Sequence, residues 1–500
     1  MNAKKLKKLK ELIYEVSDIK AAGAVLSWDQ ETYMPKGGIQ ERAEQLSTLN
    51  KIAHEKFTSP KIGELIKELK NEIKSLNDES DDVRLIKVLN RTYNKAIKVP
   101  SSLVAEISKA CSIGQQTWAE AKSRSDFNLF KPCLERLVEL KKEYAKLFSP
   151  YNSIYDPLLD DFEPGLKTSD VKKIFSELRP QQVKFIQQIK RKKEIDNSFL
   201  FREYNVKKQL AFGENVITKF GFDWDRGRQD KSAHPFTISF GMNDVRITTR
   251  FDKQYLPMAL FGTLHEAGHA MYEQNISQKL RRTSIGTGAS WAIHESQSRL
   301  WENIIGRSKA FWKCFYPELQ KIFSKSLSDI SLNKFYKGIN KVKPSLIRIE
   351  SDEATYNLHI MLRLEIEIAL MEDKINVADL PDMWNSKMNE YLGITPENDK
   401  EGVLQDIHWS MGSIGYFSTY ALGNLISVQV WQKINQDIPD ISSQIEQGEF
   451  STLLNWLKNN IYIHGAKFEP QELVQKVTGS KINPAPYIQY LKQKYSEIYS

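Results

Sequence analysis

The segment TLHEAGHAMYEQ, residues 263–274, places two histidines four positions apart around a glutamate. On an α-helix, His265 and His269 are separated by roughly 40° around the axis and one turn along it, so both imidazoles can reach one metal ion. Glu266 lies one step round the helix, where a general base can hold a water molecule without being a ligand. The spacing therefore predicts a zinc site, with a pair of buried, hydrogen-bonded core histidines as the structural alternative.

A catalytic zinc site needs a third protein ligand and an open fourth position. A third histidine six residues after His269 is excluded, because position 275 is an asparagine. The amphipathic segment 290–304 offers Glu295, far enough along the chain for a turn and an antiparallel return. Spacing alone leaves two other carboxylates open, Glu273 and Glu302. His294 is either an outer-sphere partner or a packed histidine.

The elements that position these residues are predicted to be mainly helices, because apolar residues recur at intervals of three and four through the first third of the chain. The predicted helices cover residues 5–24, 40–56, 61–75, 80–96, 102–122 and 128–148. Proline or glycine marks the breaks at 35–38, 59–60, 99–100 and 149–150.

One segment departs from helical periodicity immediately before the histidine motif. In HPFTISFGMNDVRITTRF, residues 234–251, apolar and polar residues alternate on both sides of GMND. Alternation with a central turn predicts a two-stranded hairpin beside the candidate metal site.

Composition limits the class of protein. With 41% hydrophobic and 27% charged residues, the 500-residue chain predicts a folded protein, and its net charge of +8 is scattered, which argues against a nucleic-acid partner. Three widely spaced cysteines disfavour a disulfide framework and favour a reducing, cytoplasmic compartment. No apolar run approaches the length of a membrane span or a signal peptide core, so we expect no membrane partner.

Several motifs occur in an order that resembles the carboxypeptidase Taq family of metallocarboxypeptidases, over essentially the whole chain. They are SWDQETYMPKGG (27–38), RAEQLSTL (42–49), HPF (234–236), D-x-R-x-T (244–248), HEAGH (265–269), HESQ (294–297) and GVLQDIHW (402–409). Two positions depart from the family pattern: Ser351 replaces alanine in IRIESD, and Ser418 replaces proline in GYFSTY.

The resemblance implies a mainly α-helical body with a deep active-site cleft lined by a small β-hairpin or sheet. We expect one domain over residues 1–500, with a helical part, 1–230, covering the cleft and a metal-site and substrate-binding part, 231–500. The implied activity is removal of C-terminal residues from peptides with broad preference. The implied cofactor is Zn²⁺, with Co²⁺ possible in its place, and the implied assembly is a homodimer. The resemblance also supports Glu295 as third ligand.

Further roles follow from the chemistry of peptide hydrolysis. Tyr420 and His408 are candidate donors to the oxyanion. Arg348 is the candidate for binding the terminal carboxylate, with Asp352 at i+4 orienting it from the same helix face and Arg246 as the substitute. Thr248 and the hairpin main chain are candidates for binding the peptide by strand addition, and Gln405 is a further substrate-binding candidate.

Two rival functions remain open from sequence. An endopeptidase or oligopeptidase on a similar scaffold would use the same metal site and accept blocked C-termini. A metal-free helical protein that binds peptides would have no hydrolytic activity. Aminopeptidase activity is disfavoured because no G-x-M-E-N stretch precedes HEAGH.

Overall fold

The computed structural model describes residues 1–500, apart from the side chain of Lys36. The described chain divides into two compact units, each built from three separate stretches. Unit 1 comprises residues 1–97, 196–339 and 430–479, and unit 2 comprises residues 98–195, 340–429 and 480–500. Each unit is therefore assembled from stretches that lie far apart in sequence. The single-domain organisation over residues 1–500 stays a prediction.

Twenty-one α-helices account for most of the described chain, which confirms the mainly helical class. Their bounds are α1 (Ala3–Thr32), α2 (Ile39–Phe57), α3 (Pro60–Glu72), α4 (Asp81–Ala96), α5 (Ser101–Arg124), α6 (Phe127–Lys146), α7 (Asp156–Asp160), α8 (Thr168–Lys190), α9 (Val206–Phe220), α10 (Leu256–Gln274), α11 (Trp291–Arg299), α12 (Lys309–Ile322), α13 (Ser324–Leu327), α14 (Leu332–Ile339), α15 (Tyr356–Met371), α16 (Leu380–Leu392), α17 (Ser418–Asp437), α18 (Ile441–Glu446), α19 (Ser451–Asn460), α20 (Pro470–Thr478) and α21 (Ala485–Ile498). The six helices predicted from periodicity correspond to α1–α6, of which α1 is longer at its C-terminal end than predicted.

A three-stranded sheet in unit 1 contains the predicted hairpin and one strand more. Its strands are β1 (Gly227–Lys231), β2 (Thr237–Gly241) and β3 (Asp244–Thr249). The sheet order is β1-β3-β2, in which β2 and β3 pair antiparallel and β1 pairs parallel to β3. The hairpin prediction is confirmed, and β1 was not predicted. The central strand β3 packs on α10, so the sheet supports the helix that contains the histidines.

The core of unit 1 surrounds α10, which packs on α9, α11 and β3. Proline in its first turn starts α10, and the Asn275 side chain donates to the Met271 carbonyl where it ends. The hydroxyl of Ser290 accepts from the amide of Ile293 and starts α11. Beyond Arg299 the chain continues as a π-helical turn, Leu300–Ile305.

Gly268 allows α10 and α11 to approach backbone to backbone. A Cβ atom at position 268 would lie 2.7 Å from the Cα of Ser298 and 2.8 Å from the carbonyl oxygen of Gln297. Both are main-chain atoms that cannot rotate away. The interior glycine, which costs helix stability relative to alanine, is therefore explained by this approach.

In unit 2 the equivalent central element is α15, which packs on α16, α8 and α6. Almost every side chain of α15 is buried, including those of Leu358, Ile360 and Leu362 at 0% exposure. Two of its polar side chains, Arg363 and Glu367, have specific hydrogen-bond partners, which are described below.

Gly268→Ala tests the close contact between α10 and α11, because the contact predicts whether the free energy of unfolding falls or rises. The higher helix propensity of alanine alone would stabilise the variant. The added methyl group, however, must push α10 away from α11, so we expect the free energy of unfolding to fall by about 1–3 kcal/mol. Gly262→Ala in the same helix is the control. Its Cβ would meet its nearest neighbour, Pro235, at 3.9 Å. Chemical unfolding should show that variant gaining up to about 1 kcal/mol. A gain in both variants would contradict the close approach.

Candidate metal centre

The side chains of His265, His269 and Glu295 converge within unit 1. One Glu295 oxygen, Oε2, lies 3.6 Å from Nε2 of His265 and 3.5 Å from Nε2 of His269. Ligands held by zinc at about 2.0–2.1 Å in a tetrahedral arrangement are separated by roughly 3.4 Å, so both histidine nitrogens have suitable spacing from the Glu295 oxygen. One ligand atom from each of the three residues lies within 4.8 Å of the other two. Burial lowers the pKa of His269 to about 4, and the neutral imidazole that results is the form that binds metal.

The other two glutamates left open by sequence lie behind the imidazoles. Oε2 of Glu302 is 2.9 Å from Nδ1 of His265, on the side of the ring away from Glu295. Glu273 bonds His294, whose Nδ1 lies 3.1 Å from Nδ1 of His269. Each histidine therefore has Nε2 towards Glu295 and Nδ1 bonded to an outer partner, as in known metal sites.

Arg299 connects two of the carboxylates at this centre. Its Nε lies 2.6 Å from Oε1 of Glu295, and its Nη1 lies 3.3 Å from Oε2 of Glu302. Burial alone would raise the pKa of Glu295, but Arg299 and then His265 hold it well below the usual range. With Oε1 bonded to Arg299, Oε2 remains directed at the two imidazoles.

The charges around the imidazoles match a divalent cation. Four buried or nearly buried carboxylates face two guanidinium groups, so the formal charges of these side chains sum to −2 when both histidines are neutral, the form that binds metal. Burial lowers the pKa of His265, but Glu295 and Glu302 outweigh it and raise that pKa, in keeping with the excess of negative charge. The carboxylates are Glu266, Glu273, Glu295 and Glu302, and the guanidinium groups are Arg299 and Arg307. An unbalanced buried charge is costly, and a cation of charge +2 would neutralise it. The residues present therefore fit a divalent metal.

Glu266, the predicted base, is 6% exposed and is held by the sheet. The hydroxyl of Thr237 on β2 donates to Oε2 of Glu266 at 2.6 Å. Burial raises the pKa of Glu266 above that of an ordinary glutamate. Sequence reasoning did not identify Thr237, although strand alternation in HPFTISF placed its side chain opposite to those of Phe236 and Ile238.

Arg246 and Thr248 have their polar groups bonded inside the hairpin. Nε and Nη2 of Arg246 each donate to Asp244 at 2.9 Å, and its guanidinium lies 4.4 Å from the Trp28 ring centre and 4.7 Å from that of Phe240. The Thr248 hydroxyl is bonded to Ser232 and to the main chain of Phe236. Thr248 also lies on the central strand β3, whereas β1 and β2 are the edge strands to which a peptide could add. These contacts explain why the residues of D-x-R-x-T occur together, because the side chains stabilise the hairpin. The substrate-binding roles of Arg246 and Thr248 stay predictions.

Arg348 lies in unit 2, in a buried ion cluster. Its Nε and Nη2 donate to Oδ1 of Asp406 at 3.0 and 2.8 Å, and its Nη1 donates to the Tyr356 hydroxyl at 2.7 Å. Nε of Arg363 donates to the other Asp406 oxygen at 2.7 Å. Burial lowers the pKa of His408 to about 3, so that side chain is neutral. Two guanidiniums therefore share one carboxylate, leaving a buried charge of +1.

The predicted pairing of Arg348 with Asp352 on one helix face is wrong. Arg348 lies in a 3₁₀ turn, Arg348–Glu350, and Asp352 follows it in a non-helical segment. Asp352 accepts from the main-chain amides of Lys343, Ala354 and Thr355. The partner of Arg348 is Asp406, from QDIHW. The Ser351 hydroxyl at the first family departure donates to the Arg348 carbonyl.

Gln405 binds protein groups through both ends of its amide. Its Oε1 accepts from the Arg348 main chain at 2.9 Å and from Arg363 at 2.8 Å, and its Nε2 donates to the carbonyls of Leu346 and Glu401. It therefore positions the guanidinium cluster. Direct contact with substrate stays a prediction.

His408 and Tyr420 are brought together as a pair. Nε2 of His408 lies 3.1 Å from the Tyr420 hydroxyl, and the Tyr420 ring centre lies 4.8 Å from the Arg348 guanidinium. Ser418, the second departure from the family pattern, is the first residue of α17, a position where proline is favoured. The two predicted oxyanion donors thus adjoin the predicted carboxylate site.

Glu367 anchors the loop that contains Asp406 and His408. It accepts from Nε1 of Trp409 at 2.9 Å, from the amide of Gly415 at 3.0 Å and from the Tyr155 hydroxyl at 2.5 Å. Burial raises the pKa of Glu367 to about 7. Its protonation state is therefore linked to the stability of this part of unit 2.

Comparison with known proteins identifies the family. The sequence model of the carboxypeptidase Taq (M32) metallopeptidases matches residues 8–495. The chain belongs to this family. Thermostable carboxypeptidase 1 of Thermus thermophilus is 39% identical, with 98% of each chain covered, and carboxypeptidase 1 of Bacillus subtilis is 39% identical, with 98% of this chain and 97% of the relative covered. The M32 metallocarboxypeptidase assignment expected from the motifs is confirmed.

Solved structures share the architecture over nearly the whole chain. An M32 carboxypeptidase from Deinococcus radiodurans matches with a TM-score of 0.96 and 36% identity, covering 99% of both chains. Metallocarboxypeptidase 1 from Trypanosoma cruzi matches with a TM-score of 0.92 and 31% identity, covering 98% of this chain and 99% of that one. Among the helices described here, none has an apolar stretch that would cross a bilayer.

Glu367→Gln should change how stability depends on pH. The folded chain holds the Glu367 proton up to about pH 7, whereas the ordinary value is 4.5, so the folded state binds more protons in that window. This contribution is complete below pH 4.5 and is lost as pH rises through 7. The free energy of unfolding in urea should therefore fall more steeply with pH for the wild type than for the variant, by up to about 1.4 kcal/mol per pH unit. Glu390→Gln, at an exposed carboxylate, is the control. Parallel curves for Glu367→Gln and wild type would contradict this account.

Proposed function

We propose that this M32 metallocarboxypeptidase removes C-terminal residues from peptides with broad preference, using a divalent cation held by His265, His269 and Glu295. The observation that carries the proposal is that one Glu295 oxygen lies 3.5–3.6 Å from Nε2 of each of the two histidines. Two imidazoles and a carboxylate are the ligand set of several catalytic zinc sites, which supports Zn²⁺, with Co²⁺ as the alternative. A bound cation of this kind lowers the pKa of a water molecule and polarises a peptide carbonyl.

Glu266 acts as general base in this proposal. Thr237 holds one carboxylate oxygen, Oε2, so the side chain has a defined orientation beside the imidazoles. Its raised pKa suits a group that takes a proton from the attacking water and returns it to the leaving amine. Burial of Glu266 also excludes bulk water from competing for that proton.

Recognition of the peptide's terminal carboxylate is assigned to Arg348. The +1 charge left by two guanidiniums on Asp406 is supporting evidence, because a substrate carboxylate would neutralise it. Asp406 orients Arg348, and Arg363 adds to the local positive charge. Tyr420 and His408 are assigned to oxyanion stabilisation, supported by their mutual contact beside Arg348.

The natural partners in this proposal are peptides with a free C-terminus. A homodimer is proposed from the family resemblance. A reducing, cytoplasmic location is proposed because the cysteines of the described chain, Cys111, Cys133 and Cys314, are unpaired.

Glu266→Gln and metal removal test the chemistry together. Losing the base should lower kcat by about 10²–10⁴-fold while the purified variant still binds one equivalent of zinc, because the side chain at position 266 is not a ligand in this arrangement. Chelator should abolish activity of the wild type, and zinc or cobalt should restore it. If hydrolysis survived both the Glu266→Gln change and the chelator, the proposed mechanism would be wrong. If the metal-free protein bound peptides without hydrolysing them, the result would support the alternative of a metal-free peptide-binding protein.

Arg348→Ala tests carboxylate recognition with matched substrates. Loss of a charged hydrogen-bonding group should lower kcat/KM for peptides with a free C-terminus by about 10–100-fold and should remove the preference over C-terminally amidated peptides. Arg179→Ala, at a half-exposed arginine of the same unit, is the control and should retain that preference. An unchanged preference in Arg348→Ala would rule out the assignment, and efficient wild-type cleavage of blocked peptides would favour the endopeptidase alternative.

A further inference from the structure

Behind His269 lies a chain of hydrogen bonds that ends at a buried carboxylate. Nδ1 of His269 is 3.1 Å from Nδ1 of His294, and Nε2 of His294 is 2.8 Å from Oε1 of Glu273. Glu273 is 5% exposed, and the His294 side chain is 16% exposed. The connection at His265 is shorter, because Glu302 bonds that ring directly.

We propose that His294 and Glu273 are positioning residues that set the tautomer of His269 and so raise the affinity of the centre for metal. A histidine that binds a cation through Nε2 carries its proton on Nδ1. That proton must be donated to Nδ1 of His294, which places the His294 proton on Nε2. The Nε2–H of His294 is then donated to Glu273. Each step leaves one donor facing one acceptor.

The surroundings of Glu273 hold the carboxylate in its accepting role. The same oxygen, Oε1, also accepts from the amide of Gly288 at 3.1 Å and from the hydroxyl of Thr287 at 3.3 Å. Three donors on one oxygen require an acceptor at that point. Oε1 of Glu273 is therefore the acceptor at the far end of the chain of hydrogen bonds.

The packing around His294 leaves its ring little freedom to rotate. A Cβ atom at Gly288 would lie 2.7 Å from Nε2 of His294 and would collide with its Cδ2, so the ring occupies space that only glycine provides. The Tyr272 ring lies 4.8 Å away on another side. Tyr272 is itself fixed by the Ala289 amide, which donates to its hydroxyl. A packed ring with a defined partner on each nitrogen suits a residue that fixes a tautomer.

Zinc affinity measured by competition with a chromogenic chelator tests this inference, which rests on the proposed metal site. Glu273→Leu removes the acceptor and should weaken zinc binding by about 10–100-fold. Glu273→Gln keeps an acceptor oxygen and should lose less than about fivefold. His294→Leu should match Glu273→Leu, and the double variant should lose no more than either single variant, because the residues act in series. The visible absorption spectrum of bound Co²⁺ should differ between the variants and the wild type, because the ligand His269 is altered.

Each outcome decides between named alternatives. Three results would each overturn the inference while leaving the metal site intact. They are equal zinc affinity in the wild type and Glu273→Leu, equal losses of zinc affinity in Glu273→Leu and Glu273→Gln, and additive losses in the double variant. Absence of tight zinc binding by the wild type would instead overturn the proposed function. Thermal unfolding of the metal-free proteins shows which variants are folded. If Glu273→Leu is unfolded, the comparison of His294→Leu with the wild type tests the inference instead. Glu353→Gln, at a buried carboxylate of unit 2, is the control and should bind zinc as the wild type does.

Discussion

The main-chain contact between α10 and α11 at Gly268 is the constraint on which the candidate metal centre depends. Two histidines on adjacent turns of α10 can face one point, but the proposed third ligand, Glu295, is on another helix and reaches that point because the two helices nearly touch. The sheet then adds Thr237, which holds Glu266 against the same helix. A small set of contacts thus fixes the proposed ligands and the proposed base relative to one another.

Unbalanced buried charge is the second feature that links structure to function. Around neutral imidazoles in unit 1 the formal charges of the side chains sum to −2, and around Asp406 of unit 2 they sum to +1. Such charges reduce stability unless a ligand compensates them. A divalent cation and a substrate carboxylate have the required signs. The proposed ligands of both units would therefore neutralise charges that are costly to bury.

The sequence predicted what depends on local spacing. Periodicity located α1–α6, alternation located the hairpin, and H-E-x-x-H located His265, Glu266 and His269. It did not predict β1, because GRQDK is polar and shows no alternation, and its pairing with β3 is set by tertiary contacts. It paired Arg348 with Asp352 on an assumed α-helix, whereas a 3₁₀ turn redirects the side chain to Asp406.

Spacing along the chain could not predict which side chains that are distant in sequence contact one another. Glu273, Glu295 and Glu302 were indistinguishable by distance along the chain, yet they have three different positions around the imidazoles. Strand alternation indicated the face on which Thr237 lies but not its partner Glu266, and no sequence pattern indicated the role of Arg299. The family motifs narrowed these choices, and the contacts of each side chain explain why the motif residues occur together.

The most direct test of the metal centre is anomalous scattering at the zinc absorption edge from crystals of the zinc-loaded protein. The account predicts one strong peak within about 2.0–2.2 Å of Nε2 of His265, Nε2 of His269 and Oε2 of Glu295, with Glu302 and His294 remaining on the Nδ1 atoms. A peak bound through Glu273 or Glu302, or no peak at these imidazoles, would contradict it.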